Sequence, residues 1–101
     1  MKITYEQAEA IGTAKTYKVL DELTEQMSRG ETVTTAEKKS ALDILVRVVS
    51  DLTGKSIDEG IVQQIEDSVE YFTNSTASVR DKHLSILLEL KEDMLNNRYK
   101  L

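Results

Sequence analysis

TYEQAEAIGTAKTYKVLDELTEQMSRG, residues 4–30, is the stretch that decides the fold. Thr4 and Gln7 stand three apart, the spacing of a capping box, in which a hydroxyl and a side-chain amide satisfy two of the otherwise orphaned amides at a helix start. Gly30 follows the last apolar position as a left-handed stop. Between these marks, spacings of three and four put Tyr5, Ala8, Gly12, Thr16, Val19, Leu20, Leu23 and Met27 on one face, predicting a long first helix. Ala8 and Gly12 lie one turn apart there and would let a neighbouring helix approach closely, which compensates for the roughly 1 kcal/mol that Gly costs inside a helix. Ile11, Lys15 and Lys18 fall on the other side, with Ile11 an ordinary exposed apolar residue or, alternatively, a further contact point.

The same punctuation recurs three times. Thr34 with Glu37 opens a second helix that runs to about Thr53 before Gly54. Its main stripe is Ala41, Leu42, Leu45, Val48, Val49 and Leu52, and Ile44 and Val46 widen the apolar arc past half the circumference. So wide an arc suits a central helix of a bundle or one at a subunit interface. Ser56 with Glu59 starts a third helix, with Ile57, Ile61, Ile65, Val69 and Phe72 inward. Ser78 with Asp81 starts a fourth, which packs with Val79, His83, Ile86, Leu87, Leu90 and Met94. A second stripe on that last helix, Leu84, Leu88 and Leu95, is bordered by Arg80, Lys91 and Arg98 and needs a neighbour of its own. Tyr99 and Leu101 come after the last core position, with fraying and closure of the bundle as the alternatives. The expected fold is all-α, one domain over residues 1–101, a four-helix bundle with up-down antiparallel topology, since the connections are short, with a looser orthogonal array of helices as the alternative.

Composition supports this and narrows function. The 101 residues include no Pro, no Cys, no Trp and one Phe, which leaves little for a sheet and excludes disulfides, thiol catalysis and zinc knuckles. No apolar run approaches the roughly 18 residues of a membrane span, and no signal peptide opens the chain, so a cytoplasmic protein without membrane contact is expected. Short acidic helical chains without Cys or Pro are common among bacterial and bacteriophage accessory proteins, an association of composition alone.

Chemistry-bearing patterns fail on inspection. His83 is the only histidine, on the inward stripe, where a hydrogen-bonded core or edge role outweighs general-base work. The Glu-x-x-His of di-iron bundles is missing because position 80 is Arg. Residues 51–62 begin with Asp, as a calcium loop does, but place Lys55 and Val62 where oxygen ligands belong. Adjacent acids such as Glu66 and Asp67 diverge by 100° on a helix and cannot share a proton. The reading is of a protein that is not an enzyme, with no metal and no cofactor. Direct nucleic-acid binding is disfavoured because the third helix, placed like a recognition helix, carries carboxylates.

That helix holds the remaining signal. The formal charge is −5, and residues 57–72 hold five acids (Asp58, Glu59, Glu66, Asp67, Glu70) without a Lys or Arg. The rest of the chain balances at thirteen of each sign. Glu59, Gln63, Glu66, Asp67 and Glu70, with Tyr71 beside them as an anchor, are the candidate surface for a partner protein with a basic face. In a sharper variant, that partner binds nucleic acid and the strip occupies its groove as a phosphate mimic. A solvated, solubilising helix face is the competing reading. The alternative function is structural, a homodimer or larger assembly joined through Leu84, Leu88 and Leu95 and the broad face of the second helix.

Overall fold

The computed structural model describes residues 1–99, with side chains described through residue 96. It is an all-α four-helix bundle, in the order α1 (Tyr5–Ser28), α2 (Thr35–Leu52), α3 (Glu59–Asn74) and α4 (Arg80–Tyr99). The question of how Tyr99 and Leu101 finish the chain falls on side chains outside the described ones.

Helix α1 begins as its sequence dictates. The Thr4 hydroxyl accepts from the Gln7 amide at 3.2 Å and the Gln7 side chain accepts from the Thr4 amide at 2.9 Å. The Thr34–Glu37 box at the start of α2 closes in the same way. Gly30 and Gly54 adopt φ of 81° and 83°, the left-handed conformation that only a residue without Cβ takes freely, and they end α1 and α2 as expected. Two starts differ. The cap of α3 is Asp58, whose carboxylate accepts from the Ile61 amide at 2.8 Å, because Ser56 is drawn into an antiparallel bridge with Lys2. Helix α4 begins at Arg80 rather than behind Ser78.

That bridge is an unforeseen element. The Ile3 amide donates to Lys55 O at 2.9 Å, and the Gly54 amide donates back to Ile3 O at 2.8 Å. The N-terminal segment is thereby tied to the α2–α3 connection, and Ile3 is buried in the core. Its signal was present: Ile3 precedes the Thr4 cap, the place of a hydrophobic staple against Ala8.

The hub of the bundle is α1. Among the described residues it packs on α2, α3 and α4, and α3 packs on α4, whereas α2 touches no helix but α1. Ala8, Ala10, Ile11, Gly12, Thr13, Ala14 and Thr16 are all buried, so the helix is enclosed nearly all round over these turns. Ile11, expected outside, is fully buried, and Tyr5 and Met27, expected inside, are more than half exposed. A single-stripe reading fails here because three neighbours surround one helix. Small side chains let them do so. A Cβ on Gly12 would lie 3.0 Å from Leu45 Cδ1 and 3.3 Å from Val48 Cβ.

Of the two places expected for α2, central in the bundle or at a subunit interface, the first is not taken: the helix is peripheral. It buries only Ala41, Val48 and Leu52, and its wide apolar arc leaves Leu42 59% and Val46 71% exposed. With α2 held on one side only, the molecule is elongated, 53 × 25 × 20 Å. Its radius of gyration of 14.9 Å exceeds the roughly 13 Å of a compact domain this size. Helices α1 and α3 run in the same direction, since Lys15 meets Gln64 and Asp21 meets Tyr71 across them. Helix α4 turns back beside the end of α3, where Arg80 Nε donates to Phe72 O at 2.9 Å and satisfies a terminal carbonyl.

Gly12→Ala tests the close approach. Alanine gains about 1 kcal/mol of helix propensity, but Val48 Cβ belongs to a stiff branched side chain and cannot move aside, so overpacking of about 1–3 kcal/mol outweighs that gain. Denaturant unfolding should show a net loss for Gly12→Ala and a larger one for Gly12→Val. A stabilised Gly12→Ala protein would contradict the packing.

Candidate functional site

Helix α3 carries its apolar residues on one side with few exceptions. Ile61, Ile65, Ser68 and Phe72 are buried against α1 and α4, with Val69 partly so. The opposite side therefore points outward as the periodicity demands, and Glu59, Gln63, Glu66, Asp67 and Glu70 are all exposed. The ion pairs among the described residues belong to Arg29, with Glu25 at 3.1 Å and Glu31 at 3.5 Å. Among the described residues, none of the α3 carboxylates enters a side-chain ion pair with a Lys or Arg.

The strip is nevertheless bordered and partly organised. Gln63 Nε2 donates to Asp67 Oδ1 at 2.9 Å, one turn along the same face. Lys15 donates to Gln64 at one edge. Farther along, Lys18, Asp21, Asp67, Glu70, Tyr71, Asn74 and Ser75 line a shallow open hollow between α1 and α3. Lys18 thus reaches the rim, and it enters no ion pair among the described residues. The sequence alone did not place Asp21 here; it joins because α1 and α3 run side by side.

Tyr71 has a role the sequence did not show. Its hydroxyl donates to Asp21 Oδ2, and its ring meets Phe72 edge-on with centroids 5.5 Å apart. Burial first, then the hydrogen bond to and charge of Asp21, push its phenol up to about 12. At neutral pH it is a proton donor that ties α1 to α3, and it places one more carboxylate beside Asp67 and Glu70. Tyr71 itself remains partly exposed.

The second candidate surface lies elsewhere. Leu88 and Leu95 are 48% and 44% exposed, and Leu84 is partly buried at the edge of the core. The apolar arc of α2 is likewise open, and with Tyr5 and Glu9 it forms a shallow groove along Leu45, Val46, Val49 and Ser50. The bundle does not satisfy both stripes internally. The two open stripes are on different helices.

His83 sits in the core as its position on the inward stripe implies. It is 6% exposed and stacks on Phe72 with centroids 5.7 Å apart and planes 21° from parallel. Its Nδ1 has no hydrogen-bond partner among the described residues, as is true of Thr16 Oγ1. Burial pushes the imidazole below its ordinary value, Lys82 adds to the effect, and the Glu9 carboxylate partly opposes it. No group of three or more His, Cys, Asp or Glu among the described residues is gathered so as to hold a metal ion. No helix among them is long and apolar enough to cross a membrane. The chain matches no protein-family model, no curated protein and no solved structure.

The depressed His83 pKa sets a pH dependence. The folded protein resists taking up the proton that the unfolded chain accepts near its ordinary value of about 6.5, so stability is full above that pH and declines as pH falls through it. The melting temperature should therefore drop between about pH 7 and about pH 5, a window in which His is the side chain that ordinarily titrates. His83→Gln should flatten that drop, and an equal drop in the variant would assign it to other groups.

Proposed function

We propose that this chain is a non-enzymatic protein-binding module, an adaptor or inhibitor, that offers the outer face of α3 to a basic partner surface. The observation that carries this reading is the exposed row of Glu59, Glu66, Asp67 and Glu70, which enters no ion pair among the described residues, on a chain whose remaining charges balance. A solvated surface helix ordinarily mixes both signs. A row of one sign instead adds repulsion of a few tenths of a kcal/mol per turn and steers encounter with cations. Asp21, held by Tyr71, extends the negative surface onto α1, and Lys18 at the rim marks one of its ends. A nucleic-acid-binding protein is the sharpest form of such a partner, with the carboxylates standing where phosphates would.

A second reading is favoured by a separate observation. The open leucines of α4 and the open face of α2 suit a structural subunit that associates with copies of itself, because apolar stripes left uncovered on a small protein are commonly interfaces. The two readings are compatible, since self-association through α2 or α4 would leave α3 open.

Charge reversal by Glu66→Lys and Glu70→Lys together tests the first reading. Both side chains are exposed, so helicity should be unchanged. Partners captured at low salt should be lost or bind at least about tenfold more weakly, and the wild-type interaction should fade as salt rises. Capture of the same partners with the same salt dependence by the reversed protein would remove the acidic face from the account.

A further inference from the structure

We infer that two copies of this chain associate through the open face of α4, packed antiparallel on itself in one register. The inference rests on the self-association reading above and adds the surface, the geometry and the pairing. Asp81, Leu84, Leu88, Lys91 and Leu95 recur at alternating spacings of three and four residues, which makes a continuous seam along one side of a helix. This seam is distinct from the inward side, where His83, Leu87 and Leu90 are buried. Asp81, Leu84, Ser85, Leu88, Glu89 and Glu92 line a shallow depression along it.

The order of charges on the seam indicates what covers it. Acid, two leucines, base is a sequence that complements its own reverse. When a second α4 is laid antiparallel with its axis between Leu84 and Leu88, Leu84 meets Leu88 of the other copy, and Asp81 meets Lys91, each pair occurring twice. Both ends of the seam thus close with opposite charges. Asp81 and Lys91 enter no ion pair within their own chain among the described residues. Arg80, the cation that precedes Asp81, is committed to Phe72 O. In this register Glu89 and Glu92 come level with His83 and Arg80 of the second copy, so no two acids are brought together. Leu95 reaches the level of Ala77 in the α3–α4 connection. The open face of α2 has no such complementarity: paired antiparallel through Leu42 and Val46, it sets Lys39 against Val49 and leaves its charge unanswered.

The contact is a few helical turns long, so it belongs to the small, dissociable class of interfaces, with an expected Kd of about micromolar. Sedimentation velocity on the full chain over a wide concentration range tests it. The wild type should pass from monomer to dimer. Asp81→Lys and Lys91→Asp should each weaken the dimer at least about tenfold, by setting like charges face to face at both ends. The double variant Asp81→Lys with Lys91→Asp should recover it, with circular dichroism confirming that all three variants remain helical. A wild type that stays monomeric overturns this inference and the self-association reading together. A dimer indifferent to both single changes leaves self-association standing and overturns the α4 register. Single variants that weaken without recovery in the double variant overturn the pairing.

Discussion

The contact of α2 with α1 at Gly12 is the constraint on which the rest of the structure depends. The modest size of Ala8, Ala10, Gly12, Thr13, Ala14 and Thr16 allows α1 to be buried nearly all round, and only a helix so enclosed can serve as the shared neighbour of the other three. Large side chains on that segment would force the neighbours apart and leave the bundle without a hub. Bulk is supplied by the surrounding helices, through Ile61, Ile65, Phe72, Leu87 and Leu90, which fill the space the small residues leave. Because α1 supplies the hub, α2 needs no contact with α3 or α4, and its outer apolar arc is left uncovered as a consequence.

The same arrangement creates the polar surface proposed to meet a partner. Helix α3 turns Ile61, Ile65 and Phe72 toward the hub, and helical geometry then obliges Glu59, Glu66, Asp67 and Glu70 to face water. Running α1 and α3 in the same direction sets Asp21 opposite Tyr71. The phenol that links the helices also holds a carboxylate at the edge of the strip. Charge on α3, leucines on α4 and the open arc on α2 therefore occupy separate regions, so association with a cationic partner and association between copies need not compete.

Much of the architecture was legible in the sequence because its punctuation is chemically specific. The Thr4–Gln7 and Thr34–Glu37 boxes and the glycines at 30 and 54 mark ends that the structure reproduces. The inward residues of α3 and α4 are also largely as periodicity implies, since those helices each bury one side. Misreadings arose where tertiary arrangement outweighs local pattern. Ile11 is buried because a third neighbour covers a side of α1 that a single stripe leaves out. Leu42 and Val46 are open because a wide apolar arc reports how much of a helix could be covered, not whether a neighbour inside the same chain covers it. Ser56 lost the α3 cap to Asp58 through a bridge with Lys2, a pairing between residues too far apart for spacing rules to see. The acidic face was legible because charge is carried by sequence directly, whereas the Asp21–Tyr71 link required knowing which helices lie side by side.

Native-state hydrogen exchange tests the hub most directly. If α1 is the shared neighbour, its amides from Ala8 to Thr16 should exchange only through global unfolding, while those of α2, held on one side alone, should open at a lower free energy. Protection of α2 equal to that of α1, or early exchange within residues 8–16, would contradict an organisation built around the small-residue segment of the first helix.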